Sequence, residues 1–175
     1  MPSAGHASTH RALGISADYA RARKLKPHRE ATRVVVIGRA ADDGKRIRLT
    51  PPAAAAWHRM RDAAARDGIV LLPLSGFRSV ARQTKIIRRK LAAGQAIADI
   101  LRLVAAPGYS EHHTGRAIDI GSPGHLDLDE HFARTVAFRW LRRRAGEFGF
   151  HLSYPRNNPH GIGYEPWHWC WREKG

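Results

Sequence analysis

The sequence predicts one α+β domain, a small and mostly antiparallel sheet with helices packed around it. Three observations carry this. The chain has 175 residues, enough for one real core and cramped for two full domains. Short apolar runs at 34–37 and 69–74, flanked by turn residues, read as strands. Strands and helices do not alternate regularly, which argues against a doubly wound parallel sheet.

Residues 1–10 read as a loose tail, and 17–26 as a short basic helix. Val34, Val35, Val36 and Ile37 form a β-branched run expected to be a buried strand. Asp42, Asp43 and Gly44 supply a turn, and 45–49 alternates charged and apolar residues as the second arm of a hairpin. Thr50 before Pro51 and Pro52 marks a helix start, and Asp67-Gly68 marks its end. The strand at 69–74 runs into Ser75-Gly76-Phe77-Arg78-Ser79. Helices are expected over 80–93, 96–104 and 135–148, the last with Val136, Trp140 and Leu141 on one stripe. Strands are expected over 116–120, 150–154 and 165–171. Residues 1–30 thus form an N-terminal tail and short helix, and 31–175 the main domain.

Thirty Lys and Arg against fifteen Asp and Glu give a formal charge of +15. An arginine-rich composition with solvated helix faces accounts for this as well as attraction to an anionic partner does. The triplet Arg142-Arg143-Arg144 reads as a solvated helix face. The single cysteine, Cys170, excludes an intramolecular disulfide. Residues 1–10 lack the apolar core of a secretion signal. No stretch approaches the roughly 20 apolar residues of a membrane span.

Two segments carry chemistry. Ser110-Glu111-His112-His113-Thr114-Gly115-Arg116-Ala117-Ile118-Asp119 places histidine in a loop and a carboxylate on the following strand. Glu165-Pro166-Trp167-His168 places a carboxylate and a histidine beside a proline that breaks strand regularity. His112, Asp119 and His168 then make the N/O set typical of catalytic zinc, with a fourth position left for water. Zinc lowers the pKa of water toward about 7, and Glu165 stands ready as the proton acceptor. His113 adjoins the expected ligand, Glu111 reads as a rim residue, and His160 as a solvated loop residue. Trp167, Trp169 and Trp171 read as core, and strand alternation is expected to turn Cys170 away from His168.

The pattern S-x-H-x-x-G-x-A-x-D followed by E-P-W-H resembles the D-alanyl-D-alanine carboxypeptidases of the LAS zinc metallopeptidase superfamily, including the vancomycin-resistance type. Ser75 to Ser79 with Gln83 is similar to the arginine motif of that family, and the likeness runs from about residue 49 to 171. The resemblance implies a LAS-peptidase fold and one Zn2+ per chain on His112, Asp119 and His168. It favours His112 over His113 by register and makes Glu165 the general base. It assigns Arg78 to the oxyanion, and Gln83 and Ser110 to the substrate site. A fixed cation just after a buried strand suits that role for Arg78.

The implied reaction is removal of the terminal D-alanine of peptidoglycan stem peptides or precursors. An L,D-carboxypeptidase, a D-Ala-D-Ala dipeptidase or a peptidoglycan endopeptidase would use a similar site. A basic nucleic-acid- or envelope-binding protein is the alternative from another class. Only the charge supports it, and no nucleic-acid motif accompanies that charge. The substrate suggests the cell envelope or periplasm, whereas the missing signal suggests the cytoplasm. A monomer is expected.

Overall fold

The computed structural model describes residues 4–173. Every strand pairs antiparallel, but in two sheets. Strands β1 (Val35–Arg39) and β2 (Arg46–Leu49) form a two-stranded hairpin. Strands β3 (Leu72–Ser75), β4 (Ala117–Gly121), β5 (Phe150–Leu152) and β6 (His168–Trp171) form the main sheet, in the order β3-β4-β6-β5.

Helix α3 (Pro51–Arg66) starts where Thr50 and the two prolines place it and stops at Gly68, whose φ of 73° suits glycine. Its alanine-rich face buries Ala53, Ala56, Trp57, Met60 and Ala64 against the hairpin and the back of the sheet. Helix α4 (Val80–Ala92) is capped by the Ser79 hydroxyl, which accepts from the Arg82 amide at 3.1 Å. Helix α5 (Ile97–Leu103) packs beside it.

All five residues of β4 are buried. A strand covered on both faces is expected to be apolar throughout. Its sequence, Ala-Ile-Asp-Ile-Gly, breaks that rule once, at Asp119. The register sets Asp119 opposite Ser75 of β3 on one side and His168 of β6 on the other. Directly opposed residues project to the same face, so three strands aim three polar side chains at one point.

Several expectations change. Residues 4–12, read as part of a tail, form helix α1 (Ala4–Ala12), and the basic helix shortens to α2 (Tyr19–Ala22). Leu13, Ile15 and Tyr19 are buried with Ile87, Ile100, Leu101, Ala106 and Tyr109 in a second core. Backbone and side-chain bonds tie this segment to residues 106–113. His10 Nε2 meets the Pro107 carbonyl at 2.7 Å, and the Tyr19 hydroxyl accepts from the Ala106 amide at 3.1 Å. The amides of His28 and Ala31 donate to the carbonyls of Gly108 and His113. The 34–37 run is not a buried strand. Val34 precedes the strand, and the rest lies in a two-stranded ribbon, where Ile37 is buried and Val36 is 53% exposed. Helix α6 (Val136–Arg144) ends four residues early and continues as a 3₁₀ turn, Ala145–Phe148, and Val136 is exposed.

Gly76 joins the hairpin to the main sheet. A Cβ there would lie 2.6 Å from the Arg48 carbonyl oxygen and 2.7 Å from Ile47 Cγ2. Gly146 has nothing within 4 Å of the same position. Gly76→Ala should therefore destabilise by about 1–3 kcal/mol, the usual cost of overpacking, while Gly146→Ala should change stability little. Thermal unfolding of both variants checks this; equal midpoints would show that the hairpin contact is not tight.

Candidate active site

His112 sits on a 3₁₀ turn, Glu111–Thr114, whose first amide bonds are capped by Ser110. Gly115, at φ 64°, reverses the chain into β4, and a Cβ there would crowd Thr50, Ala31 and Val34. His112 Nδ1 lies 2.7 Å from the Gly76 carbonyl. A carbonyl only accepts, so the ring proton is held on Nδ1 and the Nε2 lone pair faces Asp119 Oδ2 at 3.3 Å. On the other side, His168 Nδ1 lies 3.1 Å from Asp119 Oδ1. All three side chains are buried, and one donor atom of each lies within 4.8 Å of the others.

This donor set fits zinc. Bonds of about 2.0–2.2 Å around a tetrahedral ion put neighbouring donors roughly 3.3–3.5 Å apart, close to the two separations above. Each imidazole faces a different Asp119 oxygen, and three protein donors leave one position open. Burial alone would raise the Asp119 pKa. The two imidazoles facing it, His112 first and then His168, hold it well below the carboxylate range.

Glu111 is a residue the sequence reading placed on the rim. Its carboxylate in fact accepts from His168 Nε2 at 2.9 Å, on the side of the ring away from Asp119. Despite burial, which raises it, the hydrogen bond and charge of His168 bring the Glu111 pKa down to about 2. A carboxylate that keeps the proton on Nε2 leaves Nδ1 as the donor atom, a second-layer arrangement common behind metal-bound histidines. Its place beside the histidine in Ser-Glu-His gave no hint of this, because the contact crosses from the 3₁₀ turn to β6.

Glu165 is not in a strand. The His168 amide donates to the Glu165 carbonyl at 3.1 Å, so Pro166 and Trp167 form a turn. That turn brings Glu165 Oε2 to 3.9 Å from His168 Nδ1. Burial pushes the Glu165 carboxyl up to about 8, opposed by the charge of His168. Arg78 is half-buried, with Nη1 donating to Gln83 Oε1 and Nη2 to Ser75 Oγ, both at 3.1 Å. Gln83 is itself fixed by donating Nε2 to the Ala105 carbonyl at 2.6 Å. Arg78, Gln83, Ser110 and Glu165 line one cleft of about 300 Å³ with the three candidate ligands.

Neighbouring groups take other places. His113 donates Nδ1 to the Arg78 carbonyl at 2.6 Å and accepts at Nε2 from the Gly108 amide at 3.1 Å. Both ring nitrogens are engaged by backbone, so it positions the arginine loop and is not a ligand. His160 is held outside the cleft by the Arg23 carbonyl. Trp167 belongs to the core and also walls the cleft, together with Tyr154. The expectation for Cys170 was wrong. Residues two apart in a strand share a face, so Cys170 lies on the His168 side. Burial and the charge of Glu111 push its thiol pKa up, and it is not among the grouped donors.

Residues 46–174 match the family model for D-alanyl-D-alanine carboxypeptidase, VanY. The chain belongs to the D-alanyl-D-alanine carboxypeptidase family. A family relative, a D-alanyl-D-alanine carboxypeptidase of Enterococcus faecalis, is 35% identical over 118 residues, covering 62% of this chain. Those residues are 42% of the relative, so the chain spans less than half of its length. Among solved structures, the LdcB LD-carboxypeptidase is 33% identical with a TM-score of 0.72, covering 81% of this chain and 69% of its own. A variant of the vancomycin-resistance D,D-pentapeptidase VanY in complex with Zn(II) is 27% identical with a TM-score of 0.63, covering 84% and 82%.

The Glu111 contact gives a test on the metal alone. Glu111→Ala should weaken zinc binding about 10–100-fold, and Glu111→Gln, which can still accept from Nε2, should weaken it less. Competition with a chromophoric chelator measures both. Unchanged affinity in Glu111→Ala would remove Glu111 from the metal site.

Proposed function

We propose that the chain is a zinc-dependent D,D-carboxypeptidase that removes the terminal D-alanine of peptidoglycan stem peptides, and that it works in the cell envelope. One observation carries the reading: a buried two-histidine, one-aspartate donor set shares its cleft with a buried carboxylate and a clamped arginine. His112, Asp119 and His168 would hold one zinc ion. When bound, it supplies a Lewis acid and lowers the pKa of water toward about 7.

The remaining chemistry belongs to side chains. Glu165 takes a proton from the attacking water and returns it to the nitrogen of the departing alanine. Its buried carboxyl lines the same cleft as the three candidate ligands, as a group with both duties must. Arg78 places a fixed positive charge where the carbonyl oxygen becomes negative. Gln83 and Ser75 hold the guanidinium plane, so little reorganisation accompanies the charge development. Ile86, Leu103 and Ile162 on the cleft wall suit the methyl groups of alanine and limit water. Ser110 lines the site while its oxygen caps the histidine turn.

A second reading is removal of D-alanine from an L-configured neighbour. The likeness to an LD-carboxypeptidase at a TM-score of 0.72 favours it. Mass spectrometry of defined muropeptides incubated with the zinc-loaded protein separates the two. Loss of one alanine from pentapeptides supports the D,D reading, and loss from tetrapeptides only would replace it with the L,D reading.

Glu165→Gln keeps the side-chain shape but cannot accept a proton. It should lower kcat by about 10⁴-fold, the upper end for general acid–base catalysis, while zinc stays bound. Near-normal turnover would give the proton to another group. Arg78→Ala should lower kcat by about 10²–10³-fold, as loss of one oxyanion donor does. A change confined to KM would make Arg78 a ground-state binder.

A further inference from the structure

One face of α4 forms a wall of the cleft. Gln83, Ile86 and Lys90 line it, at the i, i+3 and i+7 spacing of a single helical stripe. Gln83 marks the reacting end, because it holds Arg78. Seven residues at 1.5 Å each put Lys90 about 10 Å farther along the wall. The neighbouring Lys85, Arg88 and Arg89 are exposed, as cations on a solvated helix face are, whereas Lys90 is half-buried. The wall beside it is aliphatic, with Leu103 and Val104. Among the described residues, no ion pair involves Lys90.

A cation in such a place has a free valence for an anion carried by the substrate. The C-terminal carboxylate of a substrate lies within one residue of the bond that breaks, about 3.3–3.6 Å of extended chain. Lys90 is instead anchored about 10 Å along the wall from Gln83, the span of about three residues of extended chain. Resting on the reading that the cleft holds a stem peptide, we infer that Lys90 is a specificity residue for a second free carboxylate, about three residues away on the acyl side. Stem peptides carry such a group on the γ-linked D-glutamyl residue, and diaminopimelate at the next residue carries another. Apolar walls strengthen the pairing by lowering the local dielectric.

The test compares three pentapeptides ending in D-Ala-D-Ala. One has a free D-glutamyl α-carboxylate and lysine, one has the α-amide and lysine, and one has the α-amide and diaminopimelate. The zinc-loaded wild-type protein should prefer the first over the second about fivefold in kcat/KM, the size of one partly exposed ion pair. The preference should reside in KM and shrink at high salt. Lys90→Met should bring the ratio near one, and Lys90→Glu should invert it. A preference for the third peptide over the second that Lys90→Met abolishes would move the contact to diaminopimelate and overturn the D-glutamyl assignment. Equal cleavage of all three by wild type, or a ratio unmoved in Lys90→Met, overturns the role of Lys90 while leaving the carboxypeptidase reading intact. Cleavage of none of them refutes that reading and this inference together.

Discussion

A carboxylate in the middle of a fully buried strand is the constraint on which the rest of this structure depends. An isolated charge at Asp119 would cost far more than the domain could sustain, so it must be paired, hydrogen-bonded or bound to a cation. The fold answers with two histidines from different directions. His168 comes from the adjacent strand by register, and His112 comes from the 3₁₀ turn that precedes β4. Each partner needs its own support. His112 is oriented by the Gly76 carbonyl and His168 by Glu111. Gly76 can serve only because it lacks a side chain against Arg48 and Ile47 of the hairpin. Thus the small outer sheet, which carries no candidate site residue, is coupled to the geometry of the candidate ligands through one glycine.

The same supports extend to the arginine. His113 bridges the Arg78 carbonyl and the Gly108 amide, so the loop that carries the candidate ligand also fixes the backbone of the cation. Behind that loop lie α1, α2 and the stretch up to Ala31. They bury apolar side chains against α4 and α5 and satisfy the backbone groups of residues 106–108 and 113. This segment lies outside the residues that match the family model, yet it forms the rear wall of the loop. A site built in this way has few independent parts. Its precision comes from packing around it, which is how first-layer groups are held in productive geometry.

Much of this was legible in the sequence, and the gaps have physical causes. Helix α3 was readable because its start and stop depend on local chemistry, Thr50-Pro51 and Asp67-Gly68. The candidate ligands His112, Asp119 and His168 stood out because their residue types and order are distinctive, and the structure brings these three side chains together. Burial of the 34–37 run was misjudged, since β-branched residues also suit an exposed two-stranded ribbon. Helix α1 was missed because it has little apolar periodicity of its own and is held by tertiary contacts, whereas the helix expected over 17–26 is present in shortened form as α2. Glu111 was missed because its partner lies across the sheet. The error over Cys170 was one of parity, not of information: residues 168 and 170 are two apart and therefore share a face.

That parity makes the choice of donors a sharp question, because a thiol lies on the same side as the candidate ligands. X-ray absorption at the zinc edge of the loaded protein addresses it directly. The account predicts light N/O donors only, at about 2.0–2.2 Å, with scattering from two imidazoles that falls to one in His168→Ala. A sulfur shell at about 2.3 Å, or two imidazoles persisting in His168→Ala, would contradict it.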